Sequence, residues 1–403
     1  MKRYEKYKPS GVDWIGEIPE NWKCKRLGTW FTDRREKVSD KDYEPLSVTK
    51  NGIVPQLESA AKSNDGDNRK LVKSGDFVIN SRSDRKGSSG LSYLDGSVSL
   101  INIVLKPRNI NGAFSEYLLK SRGFIEEFYR NGHGIVADLW TTRFQEMKFI
   151  NISIPSPTEQ QAIVEFLDDK TAKIDQTISL KQKEINLLKE RRQILIQKAV
   201  TKGLNDQVKM KDSGVDWIGE IPEHWELERF KFLCKITTGS KNTENKVEDG
   251  LYPFYVRSQK PEKINTYTFD GEAILTAGDG AGVGKVFHYI NEKFDFHQRV
   301  YKFSHFTKIK GKLLYYYLKN NFFNVALNGE AKSTVDSLRL PLISNFIVTI
   351  PPPIEQTLII EFIENASKKI DKAISIKQQE IEKLKEYKTV LIDNVVTGKV
   401  KVN

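Results

Sequence analysis

Cysteine, methionine and histidine are scarce: the 403 residues hold 2 Cys, 3 Met and 5 His. Cys24 and Cys234 stand at non-equivalent places, which fits unpaired thiols in a reducing compartment and excludes a disulfide framework. His133, His224, His288, His297 and His305 lack helical metal spacing and have no cysteine near them, so structural or surface roles are expected and no metal site. No run of about 18 apolar residues occurs, which argues against a membrane-spanning helix. The opening MKRYEKYKPSGVDW has no apolar stretch of the secretory kind. A cytoplasmic protein is expected.

Catalytic signatures are missing too. AGDGAGVGK (Ala277–Lys285) resembles a phosphate-cradling loop, but Asp279 stands where the first glycine belongs and Val286 follows the lysine. A glycine-rich turn near a binding surface is the better reading. Neither a GxSxG elbow nor an HExxH helix occurs, Pro-Asp never appears, and Pro351–Pro353 lacks the flanks of an amino-methyltransferase tetrad. The chain is read as non-catalytic by itself, binding no cofactor of its own.

A net charge of +11 hints at a polyanionic partner, but its distribution is uneven. Residues 1–158 carry +6, residues 205–355 carry +1, and the connecting segments 159–204 and 356–403 carry +2 each. No basic arm or tail announces a nucleic-acid binder.

What the chain does contain is repetition. SGVDWIGEIPE at Ser10–Glu20 returns unchanged at Ser213–Glu223. IPSPTEQ (Ile154–Gln160) returns as IPPPIEQ (Ile350–Gln356), and KIDQTISLKQKEINLLKE (Lys173–Glu190) as KIDKAISIKQQEIEKLKE (Lys369–Glu386). The order is opening, body, exit block, twice. After each proline cluster neither Pro nor Gly occurs until Gly203 and Gly398, enough chain for helices of roughly 60 Å. Ile174, Ile178, Ile185, Leu188 and Leu195 form a stripe spaced 4, 7, 3 and 7, which Ile370, Ile374, Ile381, Leu384 and Leu391 reproduce. Heptad-like seams want a partner helix, and the economical partner of each is the other, antiparallel. Packing of each helix on its own body is the plainer alternative.

The bodies, 23–153 and 226–349, alternate β-type runs such as DFVIN, SLINIVL, YPFYV and AILTA with Gly, Asn and Asp turns. Each closes with one predicted helix, Phe114–Arg130 and Lys312–Leu327. A faint skeleton persists at an offset of 196: Gly75–Ile79 answers Gly271–Leu275, and Arg143 answers Arg339. Elsewhere the bodies diverge, as one fold with two surfaces would.

This duplicated order, an SGVDWIGEIP opening and a Pro-x-Pro-x-Glu-Gln exit before a long KQ-E-I-x-x-L-K-E helix, resembles the specificity subunit of type I restriction–modification enzymes along the whole chain. The resemblance implies an α+β fold: a tandem pseudo-two-fold repeat, two mainly-β globular target recognition domains separated by two long antiparallel coiled-coil helices. The expected segments are 1–158, 159–204, 205–354 and 355–403. It also implies that each body reads one half of a split double-stranded DNA target with a non-specific gap. Two modification subunits would bring S-adenosylmethionine and methylate adenine N6. Restriction subunits, motor and nuclease, would bring ATP and Mg2+.

Base readout needs polar or basic side chains on loops. In the first body the candidates are Lys50 and Asn51 in SVTKNG, Arg82, Arg85, Lys86 and Ser88 in SRSDRKGSSG, and His133 in RNGHG. In the second they are Arg257, Ser258 and Lys260 in YVRSQK, Lys285, Gln298 and Arg299 around two further turns, and Lys332 in AKST. Solvated loops and structural salt bridges remain open for these positions. Trp14, Trp22, Trp217 and Trp225 recur in both openings and are read as packing residues. Two rival readings are a tandem scaffold binding proteins around a coiled-coil rod and a stand-alone nuclease or methyltransferase.

Overall fold

Glycine and proline set the frame. A computed structural model describes residues 2–58, 66–134, 140–328 and 338–402. In the first opening, strand Tyr7–Pro9 pairs antiparallel with Glu17–Pro19 across a turn where Gly11 and Gly16 sit at φ 72° and 73°. In the second, Met210–Asp212 pairs with Glu220–Pro222, with Gly214 and Gly219 at φ 68° and 67°. Only glycine adopts that left-handed backbone without strain, so the turn itself accounts for both glycines of SGVDWIGE.

The chain forms two compact units, Met1–Lys181 with Gln378–Asn403, and Gln182–Lys377. Each takes one body and a portion of both long helices, because the helices pair antiparallel and each end packs on its own body.

In the first unit, β1 (Lys23–Arg26) is followed by β2 (Phe31–Asp33), β3 (Phe77–Asn80), β4 (Ser89–Leu91) and β5 (Asn102–Pro107). The last four form an antiparallel sheet in the order β4-β3-β5-β2. Helices α1 (Gly112–Leu119) and α2 (Arg122–Arg130) cover it. These replace the single helix expected over Phe114–Arg130. The break has a local cause: the Ser121 hydroxyl accepts from the amide of Phe124 and starts a new helix. β6 (Asn151–Ile154) returns antiparallel to β1, and α3 (Pro157–Lys202) begins on a proline, whose missing N–H is no loss at a first helical position.

The second unit repeats this plan with a larger sheet. β7 (Glu226–Arg229) is the counterpart of β1. β8 (Lys235–Thr238), β9 (Tyr252–Tyr255), β10 (Glu262–Ile264), β11 (Phe269–Ala277), β12 (Phe287–Phe296) and β13 (Val300–Ser304) form one sheet in the order β8-β13-β11-β12-β9-β10. Only the β9–β12 pairing is parallel. Helix α4 (Gly311–Asn328) packs on it, β14 (Ile347–Ile350) closes against β7, and α5 (Pro353–Val396) follows. Arg143 and Arg339, matched in the sequence, sit alike as N-caps of the short helices Phe144–Met147 and Leu340–Ser344.

Opening and exit lock onto each other. Trp22 and Trp225 are fully buried beneath them. The exit glutamate Glu159 accepts from Tyr4 Oη at 2.6 Å and Asn21 Nδ2 at 3.5 Å. Its counterpart Glu355 accepts from Trp225 Nε1 at 3.0 Å and pairs with His224 Nε2 at 2.6 Å. The buried glutamines beside them act identically: Gln160 Oε1 accepts from Asn111 N and Gln356 Oε1 from Lys310 N, each at 2.8 Å, just before the helix that covers the sheet.

The seam residues take their places in both long helices. Ile174 and Leu391 are buried in the first unit's core with Ile178 and Leu384 packed against it, and Ile381 is buried too. In the second unit Ile185, Ile370 and Ile374 are buried and Leu188 and Leu195 half-buried. Lys388 binds Asp175 at 2.7 Å and Lys181 binds Glu380 at 2.6 Å in the first unit; Arg192 binds Asp371 at 2.6 Å in the second. Partner numbers fall as helix numbers rise, which is the antiparallel register. These exposed ion pairs are worth little individually, and the apolar seam supplies the affinity. No helix among the described residues is long and apolar enough to cross a membrane.

Candidate nucleic-acid interface

Both units carry the same small device at one edge of the frame. A buried strand runs into a one-turn 3-10 helix and out through a second strand: β3, Ser83–Arg85, β4 in the first unit, and β11, Gly280–Gly282, β12 in the second. The loop chemistry differs completely.

In the first unit the candidate loops converge. Thr141 forms antiparallel bridges with both Arg82 and His133, so these two residues flank one short segment. A Cβ on Gly90 would lie 2.8 Å from Gly52 Cα, so the hairpin bearing Lys50 and Asn51 rests directly on β4. Lys50, Asn51, Arg82, Arg85, Lys86 and His133 are all exposed. Lys86 pairs with Glu126 at 2.6 Å, and Arg85 with its neighbour Asp84 at 3.6 Å. Ser88 is 6% exposed, and its carbonyl accepts from Asn80 N as the hairpin closes.

Arg82 also lines an open cleft of about 430 Å3 with Asp33, Arg35, Lys70, Arg143 and Gln145. Burial pushes the Lys70 ammonium below its ordinary pKa, and its Nζ donates to Asn102 O at 2.7 Å. Arg35, Lys70 and Gln145 went unnoticed in the sequence because they come from three distant places: a link between strands, the strand Arg69–Val72 and the helix Phe144–Met147.

In the second unit three loops are welded together. Gly282 approaches Arg257 so closely that a Cβ would lie 2.7 Å from the Arg257 carbonyl, and Gly278 N donates to Arg299 O at 2.8 Å. Gln259 Nε2 donates to Lys285 O at 3.0 Å, and His288 Nε2 meets Ser258 O at the same distance. Ser258 Oγ donates to Lys260 O, and Gln298 N to Lys241 O. Lys285 is exposed with its ammonium over the Phe323 ring at 5.4 Å. Lys332 and its AKST stretch lie outside the described residues.

At the centre stands Asp279, which the sequence offered only as the residue that spoils a phosphate loop. Its Oδ1 accepts from Arg257 Nη1 at 2.8 Å and its Oδ2 from Arg299 Nη1 at 2.7 Å. Burial raises this carboxyl, but the two arginine bonds and their charges outweigh it and hold it below the usual range. His297, 5% exposed, accepts from Arg299 N through Nδ1 at 3.0 Å. Burial and then the Arg257 charge hold its pKa below the ordinary histidine value.

Residues 222–386 match the family described as type I restriction modification DNA specificity domain. The chain is 29% identical over 180 residues to the type I restriction enzyme EcoDI specificity subunit of Escherichia coli, a match covering 45% of this chain and 39% of that protein. It is 26% identical over 425 residues to the MjaVIII specificity subunit of Methanocaldococcus jannaschii, covering 96% of this chain and 94% of that one. Among solved structures, a chain from work on complex assembly and conformational transition of the type I R-M system aligns with TM-score 0.72 at 16% identity, over 95% of this chain and 99% of that one. The HsdS subunit from Thermoanaerobacter tengcongensis aligns with TM-score 0.55 at 15% identity, over 95% and 98%. These two share the fold.

Proposed function

The chain belongs to the specificity-subunit family of type I restriction enzymes, and from that premise we propose that each unit reads one half of a bipartite double-stranded DNA target. The observation that carries this is the shared strand–turn–strand device with unlike cations around it: Arg82, Arg85 and Lys86 within it in one unit, and Lys285 within it with Arg257 and Arg299 on adjoining loops in the other. Equal frames with unequal readers give an asymmetric target. Phosphate contacts set register while side chains on rigid elements read base edges.

The long helices act as the ruler for the gap and as the dock for two modification subunits. Beyond the buried seam, Leu180, Leu187 and Ile194 form an exposed stripe at seven-residue spacing on α3, and Ile376 and Val390 lie exposed on α5. Apolar stripes of this kind suit further helices. In this reading the chain works in the cytoplasm as a non-catalytic address. The modification subunits supply S-adenosylmethionine and methylate adenine N6, and restriction subunits use ATP and Mg2+ to cut unmodified DNA.

The test is long-read methylation mapping of a naive bacterium expressing this chain with its modification subunit, beside a control lacking the chain. A split motif bearing N6-methyladenine is expected only with the chain. Absence of any new motif, with both proteins soluble and associated, overturns the reading.

A further inference from the structure

We propose that Asp279 is a positioning residue for DNA readout: it holds Arg257 and Arg299 as one fork aimed at the acceptor edges of guanine bases. The half-site read by the second unit therefore contains guanine. This rests on the DNA-reading function proposed above.

Three features of the fork carry the inference. Each carboxylate oxygen engages one terminal nitrogen of a different arginine, at 2.8 and 2.7 Å. A guanidinium has five N–H donors, so most of each fork stays available. The arginine side chains are 42% and 60% exposed while the aspartate is 15% exposed, so the anchor lies beneath and the donors face out. The three residues come from three loops that the close approaches at Gly278 and Gly282 press together, which fixes the spacing before any ligand arrives.

The anchor also selects the kind of acceptor. A carboxylate bonded to both guanidiniums offsets part of their charge and repels a phosphate oxygen approaching between them. Guanine N7 and O6 are uncharged acceptors that match the arginine fork, so the base edge fits better than the backbone. Long side chains gain most from such an anchor, because ordering is done in advance. Among the described residues of the first unit no carboxylate joins two loop arginines in this way. Its loop arginine Arg85 leans on adjacent Asp84 at 3.6 Å, and no aspartate among the described residues joins Arg82 to a second arginine.

The experiment uses the full chain with its modification partner, with motif mapping joined to binding measured by competition between oligonucleotides. The wild type comes first, and a chain yielding no motif refutes the DNA-reading function itself. Given a motif, Arg257→Ala and Arg299→Ala assign the half-site by degrading guanine positions on one side only. Asp279→Asn is then expected to lower preference for guanine at those positions by about tenfold or more, leaving the other half-site and the gap unchanged. Asp279→Glu is expected to recover part of the preference. If Asp279→Asn fails to fold, Arg299→Lys carries the test, since it keeps the charge but loses the fork, and the same loss of guanine preference is expected.

Three results overturn the proposal. One is a second half-site without guanine. Another is a variant that melts earlier but keeps its motif, which makes the clasp purely structural. The third is a loss of affinity equal across all sequences with a shallower salt dependence, which assigns the fork to phosphates.

Discussion

Both units lock the opening to the exit with the same glutamate, yet through different donors. Glu159 takes a tyrosine hydroxyl and an asparagine amide, whereas Glu355 takes an indole N–H and a histidine. The same holds one step further in. Asp76 in the first unit binds Arg34 through two bonds of 2.7 and 3.0 Å, while its counterpart Glu272 accepts a single bond from Tyr289 Oη at 2.7 Å. The frame is thus constrained as geometry and loosely as chemistry. Any donor that reaches the carboxylate closes it, and the loops above are free to differ.

The chain's own ends show how far this equivalence goes. In the second unit α3 leads without a break past Gly203, at φ 76°, which packs against Trp225. In the first unit the matching place is taken by the C-terminal segment. Gly398, at φ 77°, packs against Pro19 and Trp22, and Lys401 N donates to Lys2 O at 3.0 Å. A covalent link in one unit is replaced by noncovalent contacts in the other.

The most damaging break falls on the seam. Deleting residues 184–190 alone puts the ion-paired register of the two helices out by one heptad, and loss of the split motif is expected on methylation mapping. Deleting 371–377 as well restores the register and shortens the paired helices by roughly 10 Å. A motif with unchanged half-sites and a gap about three base pairs shorter is the expected result. A changed half-site with an unchanged gap refutes the ruler.

Next in size is the buried pair. Asp76→Ala leaves Arg34 without its bidentate partner and is expected to cost about 3 kcal/mol in urea denaturation. Glu272→Ala removes the acceptor of one hydroxyl bond and is expected to cost about 1.5 kcal/mol. Equal losses would show that the two acidic residues are not the unlike anchors described.

A smaller contrast separates the tryptophans. Trp22 Nε1 has no partner among the described residues, whereas Trp225 Nε1 donates to Glu355. Phenylalanine at either position leaves a similar void, so Trp225→Phe should exceed Trp22→Phe by about 1 kcal/mol. Smallest in stability is Lys86→Ala, which removes an exposed ion pair. Its effect on melting should stay within about 0.5 kcal/mol. The slope of log affinity against log salt is expected to fall by about one if Lys86 meets a phosphate.

Local features were legible because their causes are local. Proline ended each body, and the heptad spacing marked the seam, whose economical mate was the other helix. The single helix expected over Phe114–Arg130 failed at Ser121, where one side-chain bond outweighed an otherwise continuous pattern. Composition marked the loop of Ser88 as solvated, whereas hairpin pairing turns that one residue inward.

Taken alone, the sequence determined the tandem order, the helix lengths and the apolar seam on each helix, since these follow from spacing along a chain with a fixed rise per residue. Which side chains meet was decided by tertiary structure. Arg82 and His133 come together through Thr141, and Asp279 reaches arginines 22 and 20 residues away because sheet pairing brings three loop ends to one place. Register between distant strands depends on the whole packed core, and no short stretch of sequence records it.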